Sequence, residues 1–108
     1  MEITRGSIYW VKLDPTVGSE IKKERPCIVI SVDPINQSRK TVVIIPLSSS
    51  AKEYNPITVA VKCEGKPSTA ILDQIRAVDK SRISNKCHDL TSDELQKIEA
   101  SLKVLCGL

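Results

Sequence analysis

Cys27-Ile28-Val29-Ile30-Ser31-Val32 and Thr41-Val42-Val43-Ile44-Ile45-Pro46-Leu47, joined by Asp33-Pro34-Ile35-Asn36-Gln37-Ser38-Arg39-Lys40, are the stretch on which the fold turns. The outer segments are near-continuous apolar runs of strand length, the pattern of strands covered on both faces. The middle segment is polar and reads as a hairpin connection. The two runs are therefore expected to form the central antiparallel pair of a sheet.

The flanking sequence supplies more short strands. Upstream, Ser7-Ile8-Tyr9-Trp10-Val11-Lys12-Leu13 is rich in β-formers and stops at Asp14-Pro15, a turn signal. Residues 16–24 are polar, contain Gly18 and run into the charged group Glu20, Lys22, Lys23, Glu24, Arg25, which predicts a loop. Downstream, Ile57–Val61 and Thr69–Ile75 read as strands separated by the turn Glu64-Gly65-Lys66-Pro67, and residues 78–82 as one helical turn. The period then changes. Thr91-Ser92-Asp93-Glu94 has the form of a capping box, and Leu95, Ile98, Leu102 and Leu105 recur at steps of three and four. Gly107 is placed to close that helix. Strands over roughly 7–78 and a helix over roughly 91–106, without strand–helix alternation, predict a mainly β (α+β) fold: a small antiparallel sheet or partly open barrel.

The chain has 108 residues, which hold one domain, 1–108. It contains Tyr9, Trp10, Tyr54 and no Phe, so the core must be aliphatic. Sixteen basic against thirteen acidic residues leave +3, too little for a polybasic duplex binder but compatible with a local basic patch. No apolar stretch reaches the roughly 18 residues of a membrane span, and no signal-peptide core follows Met1, so a cytoplasmic protein is expected. Cys27, Cys63, Cys87 and Cys106 are dispersed and fit free thiols. Metal ligands at zinc spacing are lacking; the nearest neighbours are Cys87 and His88.

His88 is the sole histidine and stands in a polar stretch before the helix cap, where a loop position is expected. Gly-rich phosphate loops and nucleophile elbows are absent. What remains lies at the strand edges. If the central strands pair through 33–40, Arg25 at the start of one adjoins Ser48 at the end of the other, beneath the Gly18-Ser19-Glu20 loop. An arginine fork and a hydroxyl backed by an apolar sheet suit a phosphate. Taken alone, the same residues also read as a strand-entry charge and turn serines.

A series of motifs adds to this. Arg5-Gly6-Ser7-Ile8-Tyr9-Trp10-Val11, Leu13-Asp14-Pro15, Gly18-Ser19-Glu20 and Arg25-Pro26-Cys27-Ile28-Val29 resemble, in order, the N-terminal motifs of the MazF/PemK (Kid) toxin family. Val43-Ile44-Ile45-Pro46-Leu47-Ser48-Ser49 is similar to its strand ending in P-[IL]-[TS]-[ST]. The run Leu72-Asp73-Gln74-Ile75-Arg76-Ala77-Val78-Asp79-Lys80-Ser81-Arg82 resembles its L-[DE]-Q-I-R segment. The resemblance implies an SH3-like, CcdB-type barrel with a C-terminal helix. It also implies a homodimer and a cognate, MazE-like antitoxin that neutralises it. The activity implied is that of an mRNA interferase, a ribosome-independent, sequence-specific endoribonuclease. It would cleave single-stranded RNA without metal or other cofactor, leaving 2′,3′-cyclic phosphate and 5′-hydroxyl ends.

Such products need only the RNA's own 2′-hydroxyl as nucleophile, so the protein's task is to hold the phosphate and offset its charge. The resemblance carries that task to Arg25 and Ser48, the latter where the family more often has Thr, with Ser50 where Gln often follows. Glu20 is a candidate base or loop organiser. Gln74 and Arg76 are implied RNA contacts. Lys22, Lys23, Lys52 and Arg82 can hold backbone phosphates, and Tyr54, Tyr9 or Trp10 can stack on a base. Tyr9 and Trp10 are adjacent on a strand and must point to opposite faces, leaving one more exposed. Recognition of a particular RNA sequence is expected to rest on the loops 15–24 and 48–56, which include Gly18, Ser19, Ser49 and Ser50. The alternative of another class is a non-catalytic CcdB-like barrel, acting as a topoisomerase poison or a protein-binding module.

Overall fold

The computed structural model describes residues 2–21 and 23–108. Among them run β1 (Ser7–Lys12), β2 (Glu24–Val29), α1 (Asp33–Ser38), β3 (Thr41–Ser48), β4 (Thr58–Cys63), β5 (Lys66–Ile71), β6 (Arg76–Asp79), β7 (Ile83–Asp89) and α2 (Ser92–Cys106). Single 3₁₀ turns at Leu72–Gln74 and Lys80–Arg82 bracket β6. The strands form one curled antiparallel sheet, a half-barrel in the order β4-β5-β3-β2-β1-β7, with β6 beside the first half of β3.

The expected central pair is present: Cys27, Ile28 and Val29 of β2 lie opposite Pro46, Ile45 and Ile44 of β3. Alternation along these strands explains why both runs are apolar throughout. Tyr9, Val11, Cys27, Val29, Val42 and Ile44 face one apolar layer. Ile8, Ile28, Ile45 and Leu47 face the other, together with Val59, Val61, Ala70 and Leu72. A slip of one residue would exchange the two sets, so the register is tightly specified. Tyr9 is fully buried; its hydroxyl accepts from Thr4 N at 3.0 Å. Trp10 is 36% exposed, which settles which of the adjacent aromatics faces outward.

Helix α2 closes the second layer. Ile98 is fully buried there, with Leu102 and Leu105 packed beside it. Its start is the expected capping box on Thr91 and Glu94, and Gly107 at φ 72° ends it in the left-handed conformation. Arg5 ties the layers together. Its guanidinium donates to Ile30 O at 3.0 Å and to Glu99 Oε2 at 2.6 Å, while its backbone N–H meets Asp33 Oδ1 at 2.7 Å.

Four sequence readings are corrected. The 33–40 connection contains the short helix α1, which Pro34 opens and Asn36 anchors by donating to Ser31 O at 2.8 Å. The turn after β4 is only Glu64-Gly65, both at positive φ (53° and 78°), so β5 starts at Lys66; the strand expected over 69–75 is split by a 3₁₀ turn into β5 and β6. His88 lies in strand β7, opposite Ile8, rather than in a loop.

Candidate active site at the end of the central strand pair

The β2–β3 pairing runs as far as Cys27↔Pro46, and Arg25 and Ser48 each lie two residues beyond that pair, on the same face as it. Arg25 is paired with the buried Val11 of β1. Directly opposed residues share a face, so Arg25 and Ser48 both belong to the side occupied by Val11 and Cys27. Both are half-buried. Electrostatics places a second guanidinium nearby. Burial pushes the Cys27 thiol up to about 12, and the charges of Arg76 and Arg25 both pull it the other way. Two permanent cations thus stand by a half-buried hydroxyl at the edge of an apolar layer, where charge is poorly screened and an anion is held strongly.

The loop before β2 leans on the same place. Leu13 N donates to Lys23 O at 2.9 Å and so closes the loop at its base. Ile21 N donates to Gln74 Oε1 at 3.4 Å, and Arg76 donates to Leu13 O at 3.3 Å. Glu20 Oε1 accepts from Val17 N at 2.6 Å, which folds the Gly18-Ser19 tip back on itself. Gly18 sits at φ 59°, and Lys23 holds φ 68°, a conformation that costs a side-chain-bearing residue about 1 kcal/mol. Across from the loop, Ser48 Oγ accepts from Ser50 N at 3.3 Å, which leaves the hydroxyl proton available for donation.

Arg25, Ser48, Gln74, Arg76 and the Glu20 loop are therefore brought to one side. Other residues expected in the site fall elsewhere. Arg82 donates to Lys12 O at 3.1 Å and Asp14 O at 2.5 Å, bracing the end of β1. Lys52 and Tyr54 are exposed on the segment leading to β4, and Ser50 is exposed beside Ser48. Lys22 lies outside the described residues. Ser49 and Lys23 line a cleft of about 440 Å³ on the reverse side of the strand pair, with Trp10, Pro26, Lys66 and Ser68. The sequence reading had missed this cleft, because it assigned Lys66 and Pro67 to a turn.

A hollow of about 610 Å³ lies apart, between the β4–β5 hairpin and the start of α2. His88 and Glu94 line it. Burial raises the Glu94 carboxyl's affinity for its proton, but hydrogen bonds from the backbone of Thr91 and Lys62 and from the Thr91 hydroxyl outweigh this and hold it below its ordinary value. Glu94 is thus occupied as a helix cap. Among the described residues no three His, Cys, Asp or Glu side chains cluster as metal ligands. None of the helices is long and apolar enough to cross a membrane.

The class is set by this architecture: the mostly β half-barrel with one C-terminal helix found in MazF toxin structures. A crystal structure of MazF from Deinococcus radiodurans superimposes with a TM-score of 0.89 at 25% identity, over 100% of this chain and 99% of that one. A MazE–MazF complex from the same organism gives 0.81 at 23% identity, covering 100% and 98%. The family model of the PemK-like, MazF-like toxin of type II toxin-antitoxin systems matches residues 4–106, and the chain belongs to that family. The endoribonuclease toxin MazF of Escherichia coli K12 is 31% identical over 103 residues, which are 94% of this chain and 92% of that protein. The endoribonuclease EndoA of Bacillus subtilis 168 is 30% identical over 113 residues, covering 100% and 97%.

Proposed function

We propose that this chain is the endoribonuclease of a toxin–antitoxin pair and cleaves single-stranded RNA on the Arg25–Ser48 side of the sheet. The observation that supports the reading is that Arg25 and Ser48, both half-buried, each stand two residues past the Cys27↔Pro46 pair on one face of the sheet, with the charges of Arg76 and Arg25 both acting on Cys27. The RNA supplies its own nucleophile: the 2′-hydroxyl attacks the adjacent phosphorus, the 5′-oxygen of the next nucleotide leaves, and a 2′,3′-cyclic phosphate forms. Arg25 offsets the charge that develops on the phosphoryl oxygens, donating in a fork, and Ser48 adds a hydrogen bond from its hydroxyl. Glu20, already engaged with Val17 N, organises the loop over the phosphate. Gln74 and Arg76 fix the loop's base and present their remaining donors to the RNA. Gly18, Ser19, Ser49, Ser50, Lys52 and Tyr54 lie along the path of the flanking nucleotides, and Lys23 and Arg82 add positive charge. The free thiols and the RNA substrate both fit the cytoplasm.

The test is direct. Purified protein is incubated with a long single-stranded RNA in EDTA, and the new 5′ ends are sequenced. Cleavage at a recurrent sequence is expected, with Arg25→Ala slower by on the order of 10²–10³-fold. No cleavage by the wild type, or equal cleavage by the variant, overturns the reading. The partner by analogy is a MazE-like antitoxin, such as the one in the complex from D. radiodurans. Undiminished cleavage in its presence would refute that pairing.

A further inference from the structure

We infer that Trp10 is the wall of a base-binding subsite, on the reverse side of the strand pair that carries Arg25 and Ser48, in which the base beside the cleaved phosphate stacks. The inference rests on the endoribonuclease reading above. Trp10 is 36% exposed, although it lies in the middle of a strand paired on both edges. Its position is also irregular: the β1–β7 register shifts between Tyr9 and Val11, so Trp10 is passed over in the pairing. The extra residue is on β7, where Ser84 and Asn85 stand against Trp10 alone, so β1 keeps its alternation and its pairing of Trp10 with Pro26 carries the ring to the cleft of about 440 Å³.

The cleft has the make-up of a nucleotide subsite. Trp10, Pro26 and Pro67 give it flat apolar walls, and Ser49 and Ser68 place hydroxyls beside them for the edge of a base. Arg25 borders this cleft as well as the phosphate side, and with Lys23 and Lys66 it outnumbers Glu24 and Glu64, which favours a polyanion. Its position matters most. Pro26 pairs with Trp10 and immediately follows Arg25; Ser49 immediately follows Ser48. Successive residues of a strand point to opposite faces. An RNA that sets one phosphate against Arg25 and Ser48 therefore needs only to turn over the rim of these two strands for its next base to meet Trp10.

Trp10 is the only tryptophan, so its own emission reports on the subsite. The probe is a short RNA spanning the sequence mapped at the wild type's cleavage ends, with a 2′-O-methyl group at the cleaved nucleotide so that it binds without reacting. Tryptophan emission should be quenched in step with binding, which is followed independently by the anisotropy of an end-labelled copy. Trp10→Leu should weaken binding roughly tenfold, the scale of losing one stacked base, and Trp10→Phe should lose less. Binding with unchanged emission, or equal affinity of the Leu variant, overturns the subsite while leaving the nuclease reading intact. If the wild type neither cleaves nor binds RNA, both fall. Should Trp10→Leu fail to fold, the wild-type emission still decides.

Discussion

Ser48 illustrates how little a single residue must bring to this chemistry. Its hydroxyl accepts from Ser50 N and retains a proton to give. A methyl on its β-carbon, as in threonine, would restrict its rotamers without removing the donor. Ser48→Ala is therefore expected to slow cleavage by on the order of 10²-fold, in the manner of a lost oxyanion donor, while Ser48→Thr keeps most of the rate. Initial rates on a defined oligonucleotide check this; a fully active Ala variant would remove Ser48 from the site. That Arg25 and Ser48 lie just past the same end of the β2–β3 pair was legible in the sequence, because antiparallel register converts chain position into spatial position. Gln74 and Arg76 were legible only through family motifs, since their bonds to Ile21 N and Leu13 O cross the sheet and have no local signature. Trp10's cleft was not legible at all. It depends on the two-residue turn at Glu64-Gly65, which carries Lys66, Pro67 and Ser68 of β5 to face Trp10 and Pro26, and hydropathy does not record that.

At the scale of elements, α2 was plain from its capping box and its Leu95–Leu105 stripe, because the helix end and its buried face each leave a periodic mark. Strand β7 left none. It is interrupted by bulges, and Ile83 is its only buried residue. Its polar side chains work instead through named bonds. Asp89 accepts from the Ser7 hydroxyl at 2.6 Å and pairs with Lys86 at 2.9 Å, which together hold its carboxyl below the ordinary 3.8. Glu94 is likewise held below its ordinary 4.5. A carboxylate whose folded-state value is lowered contributes stability that is complete above the ordinary value and disappears as pH falls through the lowered one. The melting temperature should thus decline as pH drops below about 4.5, Glu94 acting first and Asp89 below about 3.8. Asp89→Asn should flatten the lower part of that decline. Thermal melts across this range check it, and an unchanged slope in the variant would refute the role of Asp89.

For the whole molecule, a formal charge of +3 would be weak for a protein that coats a duplex. The proposed site asks for no more, since it would grip a few nucleotides at the end of a strand pair, where Arg25 and Arg76 both act on Cys27. The fold as a whole was readable because its aliphatic runs admit one arrangement, with β2 and β3 central and apolar on both faces. The assembly is a proposal carried by family resemblance: two copies forming a homodimer. Light scattering at micromolar concentration should return twice the 11.9 kDa chain mass. A monomer at that concentration would count against it.

The half-barrel does not close, so β4, β6 and β7 each keep one outer edge. On β4 the outward N–H of Lys62 is taken by Glu94 Oε2 at 2.7 Å, the same carboxylate that caps α2. An outer strand with its donors unspent is a template on which a neighbouring molecule can polymerise. By occupying this donor with a helix side chain, the protein denies a passing copy that foothold. The bond that starts a helix thereby also helps to keep a crowd of identical chains from knitting into fibrils.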